Sequence, residues 1–474
     1  MNWKIFKRFL PSKGAAAVAP VIIPRHAHPI THALISANAL KVLSRLKEAG
    51  YASLLVGGCV RDLMLGREPK DFDVVTDARP EQIRATFRNS RLIGRRFRLA
   101  HVHFGREIIE VATFRASPQA GAMDFDEPAD ADSAEMDAVV REDSDTRDGV
   151  SGRLLRDNVF GTQEEDAVRR DFTVNALYYN FRDDSVMDYV GGSKDLKQGI
   201  LRVIGDPVER FREDPVRMLR VVRFAAKLGF RIERTTAAPI PDMGMLLLEV
   251  PPARMFEEVL KLFHSGYALV TFELLRQYGL FKYLFPLTED SLGREQHGFP
   301  LTLLPQALAN TDARVNDGKP VNPAFLFAAL LWEPLRFAAQ RHIAKGQPEY
   351  PAWQSAAEDV LRSQLRHVTI PKRFSFPMRE IWLLQSKFAR RHGKQAWRLL
   401  EHKRFRAAYD FLLLRIHAGE EHAALGEWWT RFQAVGPDER QAMIDALAGE
   451  ERPAHAPRRR RRRRMSSGNH APQA

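Results

Sequence analysis

Apolar residues recur along positions 30–50 at alternating steps of four and three, the spacing of one side of a helix. The residues that share this side are Ile35, Ala39, Val42, Leu46 and Ala49. A short, mostly apolar run at 52–56 then predicts a buried strand. A glycine pair separates that strand from a second predicted helix, which Gly66 ends.

Residues 71–75 alternate carboxylates with apolar side chains and predict a second strand. Positions 80–87 return to a helical pattern. Segments 99–104 and 108–114 predict two paired strands joined by a turn at Gly105 and Arg106. The order strand, helix, strand, helix and hairpin predicts a small mixed α/β domain.

After Gly192 the pattern is almost wholly helical, most clearly at 256–280 and 396–417. The predicted fold class is therefore α+β, with a small α/β head followed by a mostly α-helical neck, body and C-terminal region. The predicted divisions are a disordered basic tail (1–25), the head (26–190, with an acidic mobile loop at 124–150), the neck (191–265), the body (266–450) and a disordered Arg-rich tail (451–474).

The composition fits a chain of several globular domains. It has 474 residues, of which 45% are hydrophobic and 28% charged. No stretch approaches the roughly 20 apolar residues of a membrane span, so no stable membrane association is expected. Cys59 is the only cysteine, which excludes an intramolecular disulfide and favours a cytoplasmic location.

The net charge of +13 is concentrated at one end of the chain. An arginine run supplies seven of these charges and leaves six for the rest. Such a run is typical of a tail that binds nucleic-acid phosphates, although a membrane surface or a purely solvated tail is an alternative. Basic stretches at 390–394 and 402–404 add to the RNA-binding prediction. The arginines of the run are Arg458, Arg459, Arg460, Arg461, Arg462, Arg463 and Arg464.

The first candidate site lies in the sequence LLVGGCVRDLMLGREPKDFDVV. On a strand, Asp71 and Asp73 would share one face, with Phe72 directed to the core. Two neighbouring carboxylates repel each other unless cations lie between them, and Mg²⁺ is the expected cation. Glu110 would complete a three-carboxylate metal site if its strand is adjacent. By itself the tripeptide favours the alternative of solvated strand residues, because such tripeptides are common.

The residues before this pair predict phosphate binding. Gly57 and Gly58 lack a Cβ, so their backbone N–H groups can approach a phosphate closely. Arg61 is suited to phosphate oxygens, and Asp62 is placed to hold it. A plain turn at the glycine pair is the alternative. It is less favourable because a strand, the glycine pair, an Arg-Asp pair, a further glycine and the aspartate pair follow one another in this order.

Two further motifs carry polar residues at regular spacing. In RRDFTVNAL, Arg170 suits a phosphate, while Asp171 and Asn175 suit ribose hydroxyls if the segment is helical. The alternative is a helix start capped by Asp171.

In EDPVRMLR, the second of these motifs, Asp214, Arg217 and Arg220 share one side near a helix start. The carboxylate of an aspartate accepts hydrogen bonds and the guanidinium of an arginine donates them. Side by side, they match the Watson–Crick edge that adenine and cytosine have in common. A capped helix with an ion pair is the alternative.

Together these motifs resemble the class II nucleotidyltransferase family, which contains bacterial CCA-adding enzymes and poly(A) polymerases. The resemblance spans residues 23–419 and implies a nucleotidyltransferase head. It also implies that the aspartate pair binds two metal ions, that the Arg-Arg-Asp motif binds the nucleotide, and that Glu213, Asp214 and Arg217 recognise its base. The segment LIGRRFRLAHV, with Arg95 and Arg96, is similar to the basic segment that distinguishes the polymerases, so these two arginines are expected to bind RNA.

The resemblance implies polyadenylation of RNA 3′ ends: the 3′-hydroxyl attacks the α-phosphate of ATP and pyrophosphate leaves, with two Mg²⁺ ions as cofactors. Asp71, Asp73 and Asp171 are the expected catalytic residues, with Asp171 alternatively positioning the nucleotide. A CCA-adding enzyme, a non-catalytic RNA-binding protein and a membrane-surface protein stay open as alternatives. The acidic stretch 124–148 is longer than is usual for the family.

Overall fold

A computed structural model of the chain describes residues 19–94, 99–116, 159–296, 299–300 and 302–450. Several predictions lie outside these ranges: those for Arg95 and Arg96, the acidic segment 124–150, the first 18 residues, and the tail 451–474 with its arginine run. None of the helices in the described ranges combines the length and the apolar character that crossing a bilayer requires.

The described residues divide into two units. The first comprises the described residues up to Val250 together with the separate segment Glu273–Leu280. The second comprises Pro251–Phe272 and the described residues from Phe281 onward. The predicted boundary at residue 190 falls inside the first unit and that at residue 265 inside the second. The finer division into neck and body stays a prediction.

The first unit is built from short strands and helices. Its strands are β1 (Val21–Ile23), β2 (Leu54–Val56), β3 (Asp73–Thr76), β4 (Ser90–Ile93), β5 (Leu99–Phe104), β6 (Glu107–Thr113), β7 (Leu177–Asn180), β8 (Ser185–Asp188), β9 (Ile200–Leu201) and β10 (Arg231–Ile232). Its helices are α1 (Ala37–Glu48), α2 (Gly58–Met64), α3 (Pro80–Thr86), α4 (Gln163–Arg169), α5 (Gly192–Gln198), α6 (Pro207–Glu213), α7 (Val216–Leu228), α8 (Arg234–Ala237) and α9 (Ile240–Met243).

An eight-stranded mixed sheet runs through the described part of this unit in the order β1-β8-β7-β2-β3-β6-β5-β4. Strands β3 and β6 pair in parallel, and the other neighbours are antiparallel. The predicted hairpin is confirmed, with Phe104 opposite Glu107. Because β2 and β3 are central, their apolar side chains are buried and the residues at their ends are held in fixed positions.

The structure corrects three local predictions. Val21–Ile23 pairs with β8, so this part of the predicted disordered tail is a strand. Strand β3 begins only at Asp73, which leaves Asp71 before the strand. The segment after Asp171 is a 3₁₀ turn, Thr173–Asn175, and helix α4 ends before it at Arg169, so Asp171 neither lies in a helix nor caps one.

The elements after Val250 are mostly helical, as predicted. They are α10 (Pro252–Phe263), α11 (Ala268–Gln277), α12 (Phe281–Leu284), α13 (Pro286–Leu292), β11 (Glu295–Gln296), β12 (Phe299–Pro300), α14 (Leu303–Asn316), α15 (Pro323–Leu330), α16 (Trp332–Ala344), α17 (Glu349–Gln364), α18 (Lys372–Gln385), α19 (Lys394–Leu400), α20 (Phe405–His417), α21 (Ala423–Ala434) and α22 (Pro437–Glu450). The second unit packs around large buried side chains such as Trp332, Trp382 and Trp429.

Candidate active site

A cavity of about 570 Å³ lies in the first unit, and it gathers most of the residues that the sequence motifs predicted. Strand ends, the start of α2 and the segment after α4 contribute to it, together with α6 and α7. The lining residues are Gly57, Gly58, Cys59, Arg61, Asp62, Lys70, Asp71, Asp73, Asp166, Arg169, Arg170, Asp171, Asn175, Arg210, Glu213, Arg217, Arg220, Phe224 and Lys227.

Asp71 and Asp73 both line this cavity, and Phe72 between them is 9% exposed. Burial raises the pKa of Asp73 to about 6, and the negative charges of Glu110 and Asp71 add to the rise while Arg170 opposes it. The increase shows that a negative charge at Asp73 is costly at this position. A cation beside the pair would remove that cost.

Glu110 lies next to Asp73 on the neighbouring strand β6, in direct register. The adjacency that the sequence analysis required is therefore confirmed. The side chain of Glu110 is 49% exposed, however, and its Oε1 lies 3.4 Å from His101 Nε2. Within the described ranges no three His, Cys, Asp or Glu side chains converge on one metal position, and the three-carboxylate site stays a prediction.

Gly57 connects β2 to α2 in a conformation that favours glycine, with φ of +80°. A Cβ on Gly57 would lie 3.6 Å from Arg170 Nη1 and 3.7 Å from Asp73 Oδ2. The backbone of Gly57 thus lies directly against an arginine and a carboxylate of the cavity. This placement supports the prediction that the glycine pair lies where a phosphate would bind.

Arg170 is fixed by two buried partners that the sequence analysis did not predict. Its Nη2 and Nε donate to Asp166 Oδ2 at 2.9 and 3.1 Å, and its Nε lies 3.0 Å from the Tyr178 hydroxyl. That hydroxyl in turn donates to Asp166 Oδ2 at 2.8 Å. The spacing of four residues between Asp166 and Arg170 on the helical pattern was the available sequence indication.

Arg61 is almost completely buried, with 2% exposure, and joins three motifs. Its Nε donates to Asp62 Oδ1 at 2.8 Å and its Nη1 to Asn175 Oδ1 at 2.6 Å. The guanidinium also lies over the ring of Phe224, 5.6 Å from its centroid. The predicted support from Asp62 is confirmed, and Asn175 is linked to Arg61 and not to Asp171 as a helix would require.

Asp171 is bound by both arginines of the EDPVRMLR motif. Arg220 Nε donates to Asp171 Oδ2 at 2.6 Å, and Arg217 Nε contacts Asp171 Oδ1 at 3.4 Å. Burial raises the pKa of Asp171, but these two guanidinium groups outweigh burial and hold that pKa below its ordinary value. The carboxylate is therefore ionised and committed to the arginines.

Glu213, one of the two acidic residues predicted for base recognition, contacts Arg217 directly. Arg217 Nη1 donates to Glu213 Oε2 at 2.6 Å, and Arg210 Nη1 donates to the same oxygen at 2.9 Å. The described residues that line the cavity include Glu213 but not Asp214. Asp214 Oδ1 accepts the backbone N–H of Val216, the first residue of α7.

Arg210 is a further cavity residue that the sequence analysis missed. Its Nη2 donates to the backbone carbonyls of Arg169 and Arg170, at 2.6 and 2.8 Å. Lys70, Phe224 and Lys227 also line the cavity without having been predicted. No spacing pattern distinguishes these residues, since Arg210, Phe224 and Lys227 reach the cavity through the packing of α6 and α7. Lys70 reaches it from the segment between α2 and β3.

The cavity is lined by more basic than acidic side chains. Eight arginines and lysines face six aspartates and glutamates, so an anionic ligand is favoured in spite of the aspartate pair. Cys59 takes no part as a nucleophile, because burial raises the pKa of its thiol to about 12.

The head and its cavity define a nucleotidyltransferase. Family models match the chain in three segments: residues 53–202 as a poly A polymerase head domain, 229–292 as a probable RNA- and SrmB-binding site of polymerase A, and 345–465 as the arginine-rich C-terminus of polymerase A. Poly(A) polymerase I of Escherichia coli O157:H7 is 50% identical over 442 residues, covering 92% of this chain and 91% of that protein. The chain belongs to the bacterial poly(A) polymerase family.

Two further relatives match different shares of the chain. Poly(A) polymerase I of Haemophilus influenzae is 46% identical over 86% of this chain and 87% of its own length. The CCA-adding enzyme of Lactobacillus helveticus is 35% identical, but over only 48% of this chain and 49% of its own. The similarity to the CCA-adding branch in this match thus spans about half of each chain.

Solved structures share the fold. A tRNA-processing enzyme in an apo form matches with a TM-score of 0.54 and 21% identity, over 86% of this chain and 99% of its own. The Bacillus stearothermophilus CCA-adding enzyme in complex with CTP matches with a TM-score of 0.50 and 23% identity, over 87% and 92%. At these identities the likeness concerns the fold alone.

Proposed function

We propose that this chain transfers AMP from ATP to the 3′-hydroxyl of RNA without a template and releases pyrophosphate. The observation that carries the proposal is the cavity in which Asp71 and Asp73 lie among arginines from α2, α4, α6 and α7. Membership of the poly(A) polymerase family supports the choice of ATP and RNA as substrates.

The aspartate pair fits a divalent cation. The pKa of Asp73 is raised by burial and by its acidic neighbours, and carboxylates are the ligands that Mg²⁺ prefers. Mg²⁺ is usually held by one or two carboxylates together with substrate phosphates, so a complete protein cage is not required. When bound, two Mg²⁺ ions would lower the pKa of the attacking hydroxyl and stabilise the leaving pyrophosphate. We assign Asp71 and Asp73 as their ligands, and Glu110 beside them as a candidate third.

The triphosphate is assigned to the region between Gly57 and Arg170. Backbone N–H groups of Gly57 and Gly58 lie at the start of α2, and Arg170 is held beside them by Asp166 and Tyr178. A pre-positioned guanidinium loses little rotational freedom when it binds an oxyanion, which favours charge stabilisation at the reacting phosphate.

Base recognition is assigned to Arg217 with its acidic neighbours. A guanidinium donates to a ring nitrogen, while the carboxylate of Glu213 or Asp214 accepts from the exocyclic amino group, the order that adenine presents. Asp171 binds both Arg217 and Arg220, which supports a positioning role for this carboxylate. Asn175 holds Arg61 in the same way. The RNA is assigned to the helical unit, with Arg95, Arg96 and the run from Arg458 to Arg464.

The proposal is tested with purified protein, an unstructured RNA and either labelled ATP or labelled CTP. We expect long tails from ATP with release of one pyrophosphate per residue added. Addition of only one or a few residues, with CTP used as well as ATP, would identify a CCA-adding activity. No incorporation of either nucleotide would contradict nucleotidyl transfer altogether.

A further inference from the structure

A second cavity, of about 260 Å³, lies in the helical unit and has a strongly basic wall. Leu384 and Leu399 form an apolar floor, and they are 2% and 5% exposed. Lys387, Arg390 and Arg398 line the wall. No aspartate or glutamate is among the described residues that line this cavity, so its charge is positive throughout.

The three cations of this wall have little compensation from acidic groups. In the described part of the chain, Arg398 has no side-chain hydrogen bond or ion pair, and Lys387 contacts only the ring of Tyr350, 6.0 Å from its centroid. Arg390 lies 4.0 Å from Glu349, with both side chains more than half exposed. An ion pair of that kind contributes little. The wall therefore presents charge that its own unit does not neutralise.

Other arginines of the same unit are differently placed. Arg431 lies 2.6 Å from Glu439, and Arg404 lies 3.1 Å from Glu380. The concentration of uncompensated charge at the small cavity is thus a local feature and does not follow from the basic composition of the whole unit.

His402 lines the cavity beside these cations and belongs to the second of two basic segments of the sequence. Its Nδ1 accepts the backbone N–H of Arg404 at 3.1 Å, so the neutral ring carries its proton on Nε2 and can donate there. Burial lowers the pKa of His402; Lys387, Lys403 and Arg404 lower it further, against the opposing charge of Glu380. Arg390 and His402, one residue from each of the basic stretches 390–394 and 402–404, therefore line the same cavity.

We propose that this cavity binds a backbone phosphate of single-stranded RNA. The cavity is less than half the size of the active-site cavity, so it suits one phosphate group and part of its sugar. The apolar floor excludes water from one side of the phosphate, which strengthens its attraction to the three cations. The inference rests on the proposed function in one respect, that RNA is the substrate.

The test compares Arg398→Gln with Arg431→Gln in the full-length protein. Both arginines are exposed, but Arg431 is paired with Glu439 and lies outside the lining of the cavity. The affinity for a labelled unstructured RNA is measured between about 50 and about 200 mM salt, a range in which phosphate contacts weaken measurably. Thermal unfolding of each variant checks that the fold is retained.

We expect Arg398→Gln to bind RNA about fivefold more weakly at 0.1 M salt, with the slope of log affinity against log salt less steep by about 0.7, the contribution of one single-strand phosphate. Arg398→Lys should restore most of the slope, since it retains the charge. If RNA affinity and its salt dependence change in Arg398→Gln no more than in Arg431→Gln, the proposal is overturned, even if the cavity binds another anion. An RNA-binding effect in a protein that transfers no AMP would contradict the proposed function and leave this inference standing.

Discussion

The pKa of a buried carboxylate in this protein depends on whether its neighbours carry opposite or like charge. Asp171 is bound by Arg217 and Arg220 and stays ionised. Asp73 is buried beside acidic groups and its pKa is raised, so a cation next to it would stabilise the ionised carboxylate. The same contrast occurs in the helical unit, where Glu333 is buried near another carboxylate.

Glu333 predicts how the stability of the helical unit depends on pH. Burial raises the pKa of this carboxyl to about 7, with Glu420 adding to the rise and Arg336 opposing it. In the unfolded chain the group titrates near 4.5. Between these values the folded state binds the extra proton, so the free energy of unfolding falls as pH rises from about 5 to about 7, by at most about 1.4 kcal/mol per pH unit.

The measurement is urea unfolding at a series of pH values, followed by tryptophan fluorescence, since six of the seven tryptophans lie in this unit. In Glu333→Gln, which cannot titrate, the decrease should become smaller. The interpretation fails if the variant loses stability over this pH range as steeply as the unchanged protein.

At the scale of elements, the segment Asp171–Asn175 depends on the chain that packs behind it. The backbone N–H of Thr173 donates to the carbonyl of Arg202, and the N–H of Ile204 donates to the carbonyl of Asp171. Gly192, at the start of α5, lies so close to the segment that a Cβ there would be within 2.1 Å of the Thr173 carbonyl oxygen. The glycine is required for this close approach and not for its backbone angles.

We therefore expect Gly192→Ala to destabilise the first unit by about 1–3 kcal/mol, the usual cost of inserting a methyl group into a packed position. AMP transfer should fall as well, because displacement of Thr173 moves Asp171 and Asn175. Chemical unfolding and the transfer assay measure the two effects. Gly436→Ala is the control, since a Cβ at Gly436 meets no atom within 4 Å; equal stability of the two variants would contradict the packing argument.

The sequence pattern predicted the central elements of the head and missed those whose stability comes from distant partners. A continuous apolar run located β2, whose residues are all buried, the flanking glycines located α2, and the helical and strand patterns located α3 and the β5–β6 hairpin. Strand β1 is largely exposed and exists through its pairing with β8, more than 160 residues away. No local pattern indicates such a strand.

In the candidate site too, residues that are close in sequence were predicted, and contacts between different segments were not. Gly57, Gly58, Arg61, Asp71 and Asp73 were predicted because one short stretch contains them all. The support of Arg170 by Tyr178 and the hydrogen bond from Arg210 to the backbone carbonyl of Arg170 were not predicted. These contacts depend on the angle at which segments pack, which residue spacing alone does not determine.

At the scale of the whole molecule, the proposed chemistry and the proposed binding of an RNA phosphate at the small basic cavity belong to different units. The active-site cavity is built entirely from residues of the first unit, whereas the small basic cavity lies in the second. Changes in the aspartate pair should therefore affect the chemical step far more than RNA affinity.

The most direct test measures AMP transfer and RNA affinity together in Asp71→Asn and Asp73→Asn, with Asp242→Asn as control. Asp242 is an exposed aspartate of α9 outside the lining of the cavity. Loss of a metal ligand removes several kcal/mol of transition-state stabilisation, so AMP transfer should fall by about a thousandfold or more while RNA affinity changes little. Transfer by either variant at the rate of the control would contradict the assignment of the aspartate pair.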